Sequence, residues 1–324
     1  MNADNIPHLC AHYGADDLGS LYDICGIEAF SVWTWPAVIP EYVGPERENV
    51  DVPYTTSQCW GKMGLDYHPL ENVSLSDYEW PKSDHFDFSV VKPKLEAIRE
   101  RDMTTAAGHM GVGYQHHVEM RSHHRIFYDL YEDDWMEEYM AGVRDFFVSY
   151  FNELFIAADG LIDIIRADED VGNQDTMLIS PDMWRRWYKP LWRECIEICK
   201  KNDARVWMHS CGCCRDIVPD FIEIGVDILN PIPPYVNGSD PLEMKTVFGD
   251  RLSFDGGVDQ INALTLGTPK DVEKEVTLRL NQMSPGGGYI IGPSQVFNRD
   301  MPFENIIAFF DTILACREKG TGCR

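Results

Sequence analysis

Basic side chains are scarce in this chain: of 324 residues only 28 are Lys or Arg, against 53 Asp and Glu, and the formal net charge is −25. So acidic a surface repels phosphate backbones and anionic membranes, which argues against nucleic acid or a lipid surface as a partner. Small neutral or cationic substrates, or a partner protein with a basic patch, fit it better. Its simplest role is to keep a cytoplasmic enzyme soluble. Long apolar runs are also missing. No stretch approaches the ~20 apolar residues that cross a bilayer. The opening MNADNIPHLCAHYGADD has neither a basic n-region nor an apolar core, so it does not read as a signal peptide. The ten cysteines are therefore expected to be reduced thiols of a cytoplasmic protein, where clusters bind metal or catalyse.

Several signature motifs are absent too. No GxGxxG or P-loop follows a strand, so the dinucleotide-binding and nucleotide-hydrolysing versions of an α/β fold lack their fingerprint. No Gly/Ser linker or low-complexity stretch divides the chain, which argues for one domain over residues 1–324. The cysteine spacing matches no zinc finger or ribbon.

What is present is alternation. From about residue 90, short β-rich runs at 104–108, 161–166, 205–209, 226–230, 251–255 and 289–292 alternate with amphipathic helical stretches. Each run is largely apolar and is followed by polar or glycine-rich residues, as expected of parallel strands buried on both faces. Ser180-Pro181 and Thr268-Pro269 place a capping residue before a proline at the first helical position. Met301-Pro302 opens the last helix and Gly320 would close it; Pro190 should kink the helix after Ser180. With 44% hydrophobic residues the chain can bury a sizeable core, and the six βα units favour a closed β/α barrel over an open doubly wound sheet. Residues 1–89 are rich in proline and tryptophan and read as an elaborated N-terminal segment that covers the barrel and supplies one or two of its strands.

In such barrels the reactive groups lie at the C-terminal ends of strands. Those positions hold His109, then Asp168, Glu169 and Asp170, then His209 and Cys211, then Asn230, Asp255 and Asp259, and finally Ser294 and Gln295. Within Met208-His209-Ser210-Cys211-Gly212-Cys213-Cys214, strand alternation lets His209 and Cys211 point the same way. An imidazole and a thiolate together suit Zn²⁺; the plainer alternative is a hydrogen-bonded core histidine among space-filling cysteines. Adjacent carboxylates Asp168, Glu169 and Asp170 raise one another's pKa and suit acid–base work or a cation, unless they form a solvated turn. Glu169, Asp170 and His109 are the catalytic candidates. Asn230, Asp255, Ser294 and Gln295 are candidates for substrate contacts. Trp33 and Trp35, with Tyr42 and Trp60, could line an apolar substrate pocket or simply pack in the core. The pairs His116-His117 and His123-His124 are expected in surface or loop positions.

With these residues in view, the chain resembles the uroporphyrinogen decarboxylase superfamily. The words that carry the resemblance are SDYEWP with Asp77-Tyr78-Glu79-Trp80, Glu169-Asp170-Val171-Gly172 followed by LISPDMWRRWYKP, and MHSCG. DFIEIGVDILNPI, SFDGGVD and GGGYIIGPSQ…MPFENI complete a set that runs in order over residues 77–306. The resemblance implies a (β/α)8 TIM barrel with its active site in the C-terminal mouth. The superfamily divides into porphyrinogen decarboxylases and zinc-dependent methyltransferases that work with corrinoid proteins. The arginine-rich motif that grips propionates in the former has no counterpart here. His209-Ser210-Cys211 matches the His-x-Cys zinc pair of the latter, but the later zinc-binding cysteine is replaced by Gly292-Pro293-Ser294-Gln295. Cys213, Cys214 or an acidic residue such as Glu169 or Asp255 could take its place. Because it begins close to AHYGADDLGSLYDICGIEAF, the chain is also expected to lack the usual N-terminal arm of the family it resembles.

The resemblance thus implies an enzyme moving a methyl group from a small methylated or methoxylated substrate to a corrinoid protein. Zn²⁺ would sit on His209 and Cys211, with Glu169 or Asp170 as proton donor. A homodimer is compatible with such a barrel. The rival reading is a metal-independent decarboxylase or lyase, which needs a cation in the mouth; Arg166 and Arg299 are the candidates. A non-enzymatic corrinoid or tetrapyrrole carrier is disfavoured because Asp-x-His-x-x-Gly does not occur.

Overall fold

The computed structural model describes residues 5–25, 38–45 and 68–318. In chain order, helices α1 (Asn5–Tyr13) and α2 (Leu18–Cys25) precede a two-stranded antiparallel ribbon of β1 (Glu41–Tyr42) and β2 (Phe86–Asp87), and then α3 (Val91–Arg99). Strands and helices alternate from there. They run β3 (Ala106–Met110), α4 (Tyr114–Arg121), α5 (His123–Asp129), α6 (Asp133–Ala158), β4 (Ile164–Asp168), α7 (Pro181–Trp187), α8 (Lys189–Lys201) and β5 (Arg205–His209). The series continues with α9 (Val218–Ile224), β6 (Ile228–Asn230), α10 (Pro241–Phe248), β7 (Ser253–Val258), α11 (Pro269–Met283), β8 (Tyr289–Pro293) and α12 (Phe303–Glu318).

The six strands β3 to β8 pair with their neighbours in sequence order, every pair parallel. Val38 bridges in parallel to Ala107 beyond β3, so the N-terminal segment contributes a further strand position. A doubly wound sheet would reverse its strand order at a switch point; this one does not, and its build is that of the (β/α)8 barrel. No helix among the described residues is long and apolar enough to cross a membrane.

The local signals read in the sequence act as expected. The Ser180 hydroxyl accepts from the Met183 N–H at 3.2 Å, and Thr268 and Asp271 form a reciprocal capping box, each ahead of a proline in the first turn. Pro190 does more than kink its helix. The helix breaks at Tyr188, and Pro190 falls in the first turn of α8, where its missing N–H leaves no gap in the ladder. Gly320 lies outside the described residues, as do Trp33, Trp35 and Trp60.

Outward-facing strand residues Ile165, Ala167, Val206, Met208, Leu229 and Phe254 are all buried at 0–1% exposure and pack under the helix layer. Each large apolar side chain so enclosed contributes about 1.5–3 kcal/mol. A second cluster joins Leu9 and Leu21 of α1 and α2 to Val258, Leu264, Val276, Phe309 and Phe310, and the Tyr13 hydroxyl donates to Asp311 at 2.8 Å. The first helices therefore sit on the β7–α12 end of the sheet while Val38 reaches the β3 end.

One expectation is overturned here. His116 and His117 are buried, not on the surface, because α4 is covered on two sides. His116 Nδ1 meets the Tyr139 hydroxyl and His117 Nδ1 the Tyr188 hydroxyl, both at 2.8 Å, while the His117 ring stacks on Trp135. His123 and His124 are exposed, as expected.

Candidate active site

The alternation of a strand decides which of its polar residues reach the barrel interior. On β4 the sequence Ile-Ile-Arg-Ala-Asp turns Ile165 and Ala167 toward the helices and leaves Arg166 and Asp168 on the inner face. Asp168 lies opposite His209 of β5, and His209 opposite Asn230 of β6. From β5 the Trp207 ring stacks under His209 at 6.0 Å, and its indole N–H donates to Asp255 of β7 at 2.8 Å. The inner face is thus a continuous polar network, although the strands looked apolar as a group.

Three potential ligands converge at the top of this network. His209 Nε2, Cys211 Sγ and an Asp170 carboxylate oxygen all lie within 4.8 Å of one another. His209 Nε2 is 3.1 Å from the sulfur and 3.7 Å from Asp170 Oδ1, and the Cys211 N–H donates to that same oxygen at 2.6 Å. The Asn230 amide N–H donates to the Asp255 carbonyl at 3.4 Å, which turns Asn230 Oδ1 toward His209. His209 Nδ1–H donates to that oxygen at 2.7 Å, so the Nε2 lone pair faces Cys211 and Asp170. Burial, then the Asp170 charge, push the Cys211 thiol well above its ordinary range, while Gln295 donates an amide N–H to the sulfur and draws it back. Asp170 is raised by burial and drawn down by His209. A divalent cation would relieve both groups. Mixed nitrogen, sulfur and oxygen donors in this arrangement fit Zn²⁺.

The acidic residue placed to serve as a third donor is Asp170, rather than Glu169 or Asp255. Cys213 and Cys214 are buried, and burial pushes the Cys214 thiol up to about 12. Gln295 stands in the loop where the resemblance expects a cysteine, and it reaches the Cys211 sulfur as a donor.

Glu169 does not face the mouth. It is fully buried on the helix side of the sheet, where one carboxylate oxygen accepts from the Tyr114 N–H at 3.2 Å and the Trp184 indole at 2.5 Å. A Cβ on Gly113 would fall 2.1 Å from this carboxylate, so the close approach depends on glycine there. Burial raises Glu169 to about 7, against the pull of its two donors. The expectation that it hands a proton to substrate in the mouth conflicts with this placement. Asp255 is likewise raised by burial, to about 6, and acts as the acceptor for Trp207. Ser294 is buried and donates to the Tyr235 hydroxyl at 3.3 Å. Asp259 caps the turn at Ile261 and Asn262.

His109 sits on the inner face, its Nε2 against Asp168 Oδ2, and Arg166 grips the same carboxylate at 2.8 and 3.1 Å. Burial works to raise Asp168, but the charges of His109 and Arg166 hold it well below the usual carboxylate range. Sequence reasoning passed over Trp207 and Glu119. Glu119 on α4 interacts electrostatically with His109, Asp168 and Asp170, and burial raises it. Gln115 donates to it at 3.2 Å; that spacing of four on a helix leaving a strand end was the available signal.

Residues 90–315 match the model of the family described as uroporphyrinogen decarboxylase (URO-D). Among solved structures, a methyltransferase from Methanosarcina mazei superposes with a TM-score of 0.63 at 18% identity, covering 95% of this chain and 90% of that one. The similarity is one of fold. A 3-keto-D-glucoside 4-epimerase from E. coli gives a TM-score of 0.42 at 13% identity, over 72% of this chain and 87% of that one. No curated protein matches the chain.

Proposed function

Because the chain belongs to the uroporphyrinogen decarboxylase family, we propose that it is a methyltransferase that moves a methyl group from a small methylated substrate, such as a methoxy compound, to a corrinoid protein. The observation that carries this reading is the convergence of His209, Cys211 and Asp170 at the strand ends. These residues would hold Zn²⁺, which when bound supplies a Lewis acid for the leaving oxygen. Asn230 fixes the His209 tautomer, and Gln295 hydrogen-bonds the Cys211 sulfur. Trp207 and Asp255 form a rigid wall beneath, which orients a small substrate and excludes water. The decarboxylase alternative draws less support, since Arg166 is engaged by Asp168 and Arg299 is exposed.

The test is metal content of protein purified in reducing buffer, beside a His209→Ala/Cys211→Ser double variant. About one zinc per chain in the wild type, absent from the variant, is the expected result. Methyl transfer from methoxylated compounds to reduced corrinoid should disappear with it. A wild type that binds no metal would overturn the zinc-assisted reading.

A further inference from the structure

Resting on the methyl-transfer reading, we infer that His109 is the catalytic acid that delivers a proton to the departing oxygen, and that Asp168 and Arg166 are its positioning residues. Asp170 and Glu169 are the obvious rivals for that task, and both are otherwise engaged. Asp170 belongs to the metal-binding group and accepts from the Cys211 N–H, while Glu169 faces the helices.

Gly108 adopts a φ of +67°, and the β3–β4 register skips a residue between Ala107 and His109. Such a bulge re-aims the side chain that follows it. Here it sets His109 beside Asp168 of the neighbouring strand, with 14% of the side chain still exposed. Arg166 donates from Nε to Asp168 Oδ1 at 3.1 Å, and its Nη2 lies 2.8 Å from Oδ2. Arg166 thereby fixes Asp168 in orientation, with its oxygens presented as acceptors. The His109 nitrogen against it, Nε2, must carry a proton, which leaves Nδ1 as the nitrogen that gains and loses one. A buried carboxylate that selects the tautomer and stabilises the imidazolium is how histidine acid–base dyads work on unrelated folds. The other titratable groups around His109 are Glu119 and His116 of α4.

The methyl carbon–oxygen bond breaks and its electron pair stays on oxygen. The methyl carbon bonds to cobalt(I) of the corrinoid acceptor, which supplies both electrons of the new bond and is formally oxidised by two. Oxygen takes the proton from His109 Nδ1, and the neutral imidazole keeps its Nε2 proton on Asp168 until solvent restores the other.

The experiment compares donors whose leaving groups need the proton to different degrees. Anisole and 4-methoxybenzonitrile are offered to the zinc-loaded enzyme with cob(I)alamin kept reduced by titanium(III) citrate. His109→Gln should slow transfer from anisole by about 10²–10⁴-fold, the usual contribution of a positioned general acid. Its effect on 4-methoxybenzonitrile, whose phenolate leaves readily, should be under about tenfold. An equal loss for both donors overturns the assignment. Asp168→Asn should show the same donor-dependent pattern with a smaller loss. The second readout is the ¹⁵N spectrum of histidine-labelled wild type, with the His109 signals identified through His109→Gln. An Nε2 that keeps its proton while Nδ1 gains and loses one, a pattern lost in Asp168→Asn, is expected; a neutral ring that keeps its proton on Nδ1 overturns the proposal even if a variant fails to fold. No transfer from either donor by the wild type sinks the methyl-transfer reading itself, an outcome distinct from an equal loss.

Discussion

Replacing Glu169 by Gln should make the protein more stable than the wild type at neutral and alkaline pH, and the gap should close in acid. In the folded protein Glu169 is fully buried and titrates near 7, against an ordinary value of 4.5. Below about pH 4.5 the carboxyl is protonated in both folded and unfolded chains, so its ionisation has no influence on stability. As pH rises through that value the unfolded chain loses its proton first, and the folded state is progressively penalised until it too ionises near 7. The interval between 4.5 and 7, at 1.36 kcal/mol per pH unit, amounts to about 3 kcal/mol. A glutamine can keep the acceptor oxygen for the Tyr114 N–H and the Trp184 indole, so Glu169→Gln removes this dependence without removing those bonds. Urea denaturation followed by tryptophan fluorescence at intervals from pH 4.5 to 8 measures it. Other acids, Asp255 among them, contribute equally to both proteins and cancel in the difference. Parallel stability curves for wild type and Glu169→Gln would refute the reasoning, and with it the placement of this carboxyl behind the sheet.

Two further outcomes follow from other parts of the molecule. Asn230→Ala removes the acceptor that fixes His209 Nδ1, and it should weaken zinc binding by about 10–100-fold in a chelator competition while leaving all three ligands in place. Asp129→Ala should destabilise the fold by about 3–5 kcal/mol in chemical denaturation, because Arg121 is buried and both of its 2.9 Å contacts to that carboxylate would be lost.

How much of this was legible in the residues depended on whether the deciding interaction was local. The run Arg205–His209 was read to the residue because a turn precedes it and a glycine–cysteine loop follows. The caps at Ser180 and Thr268 need only three residues to act, and they did. The run placed at 104–108 came out two residues later, as Ala106–Met110, because the bulge at Gly108 lets the strand continue through His109. The Asp168-Glu169-Asp170 triplet was the harder case. Period-two alternation says that the middle residue opposes the outer two, but which face is the mouth depends on Asp168 lying opposite His209. That register joins residues 41 apart and has no trace in either segment alone. His116 and His117 differ for a similar reason: a histidine pair reads as polar until one knows that Tyr139 of α6 and Tyr188 at the α7–α8 break supply its hydrogen bonds.

The seam formed by the first helices has a bearing on how the chain folds. Each βα unit from β3 to β8 finds its neighbour within a few dozen residues, so that arc can assemble stepwise from contacts close in sequence. The Tyr13–Asp311 contact, in comparison, spans 298 residues, and the Leu9 and Leu21 contacts on α11 and α12 are about as distant. Closing so long a loop is entropically costly before any packing is gained. The junction of α1 and α2 with the β7–α12 end should therefore be the last part to dock during folding and among the first to open in the native protein, exchanging its amide hydrogens ahead of β4 and β5.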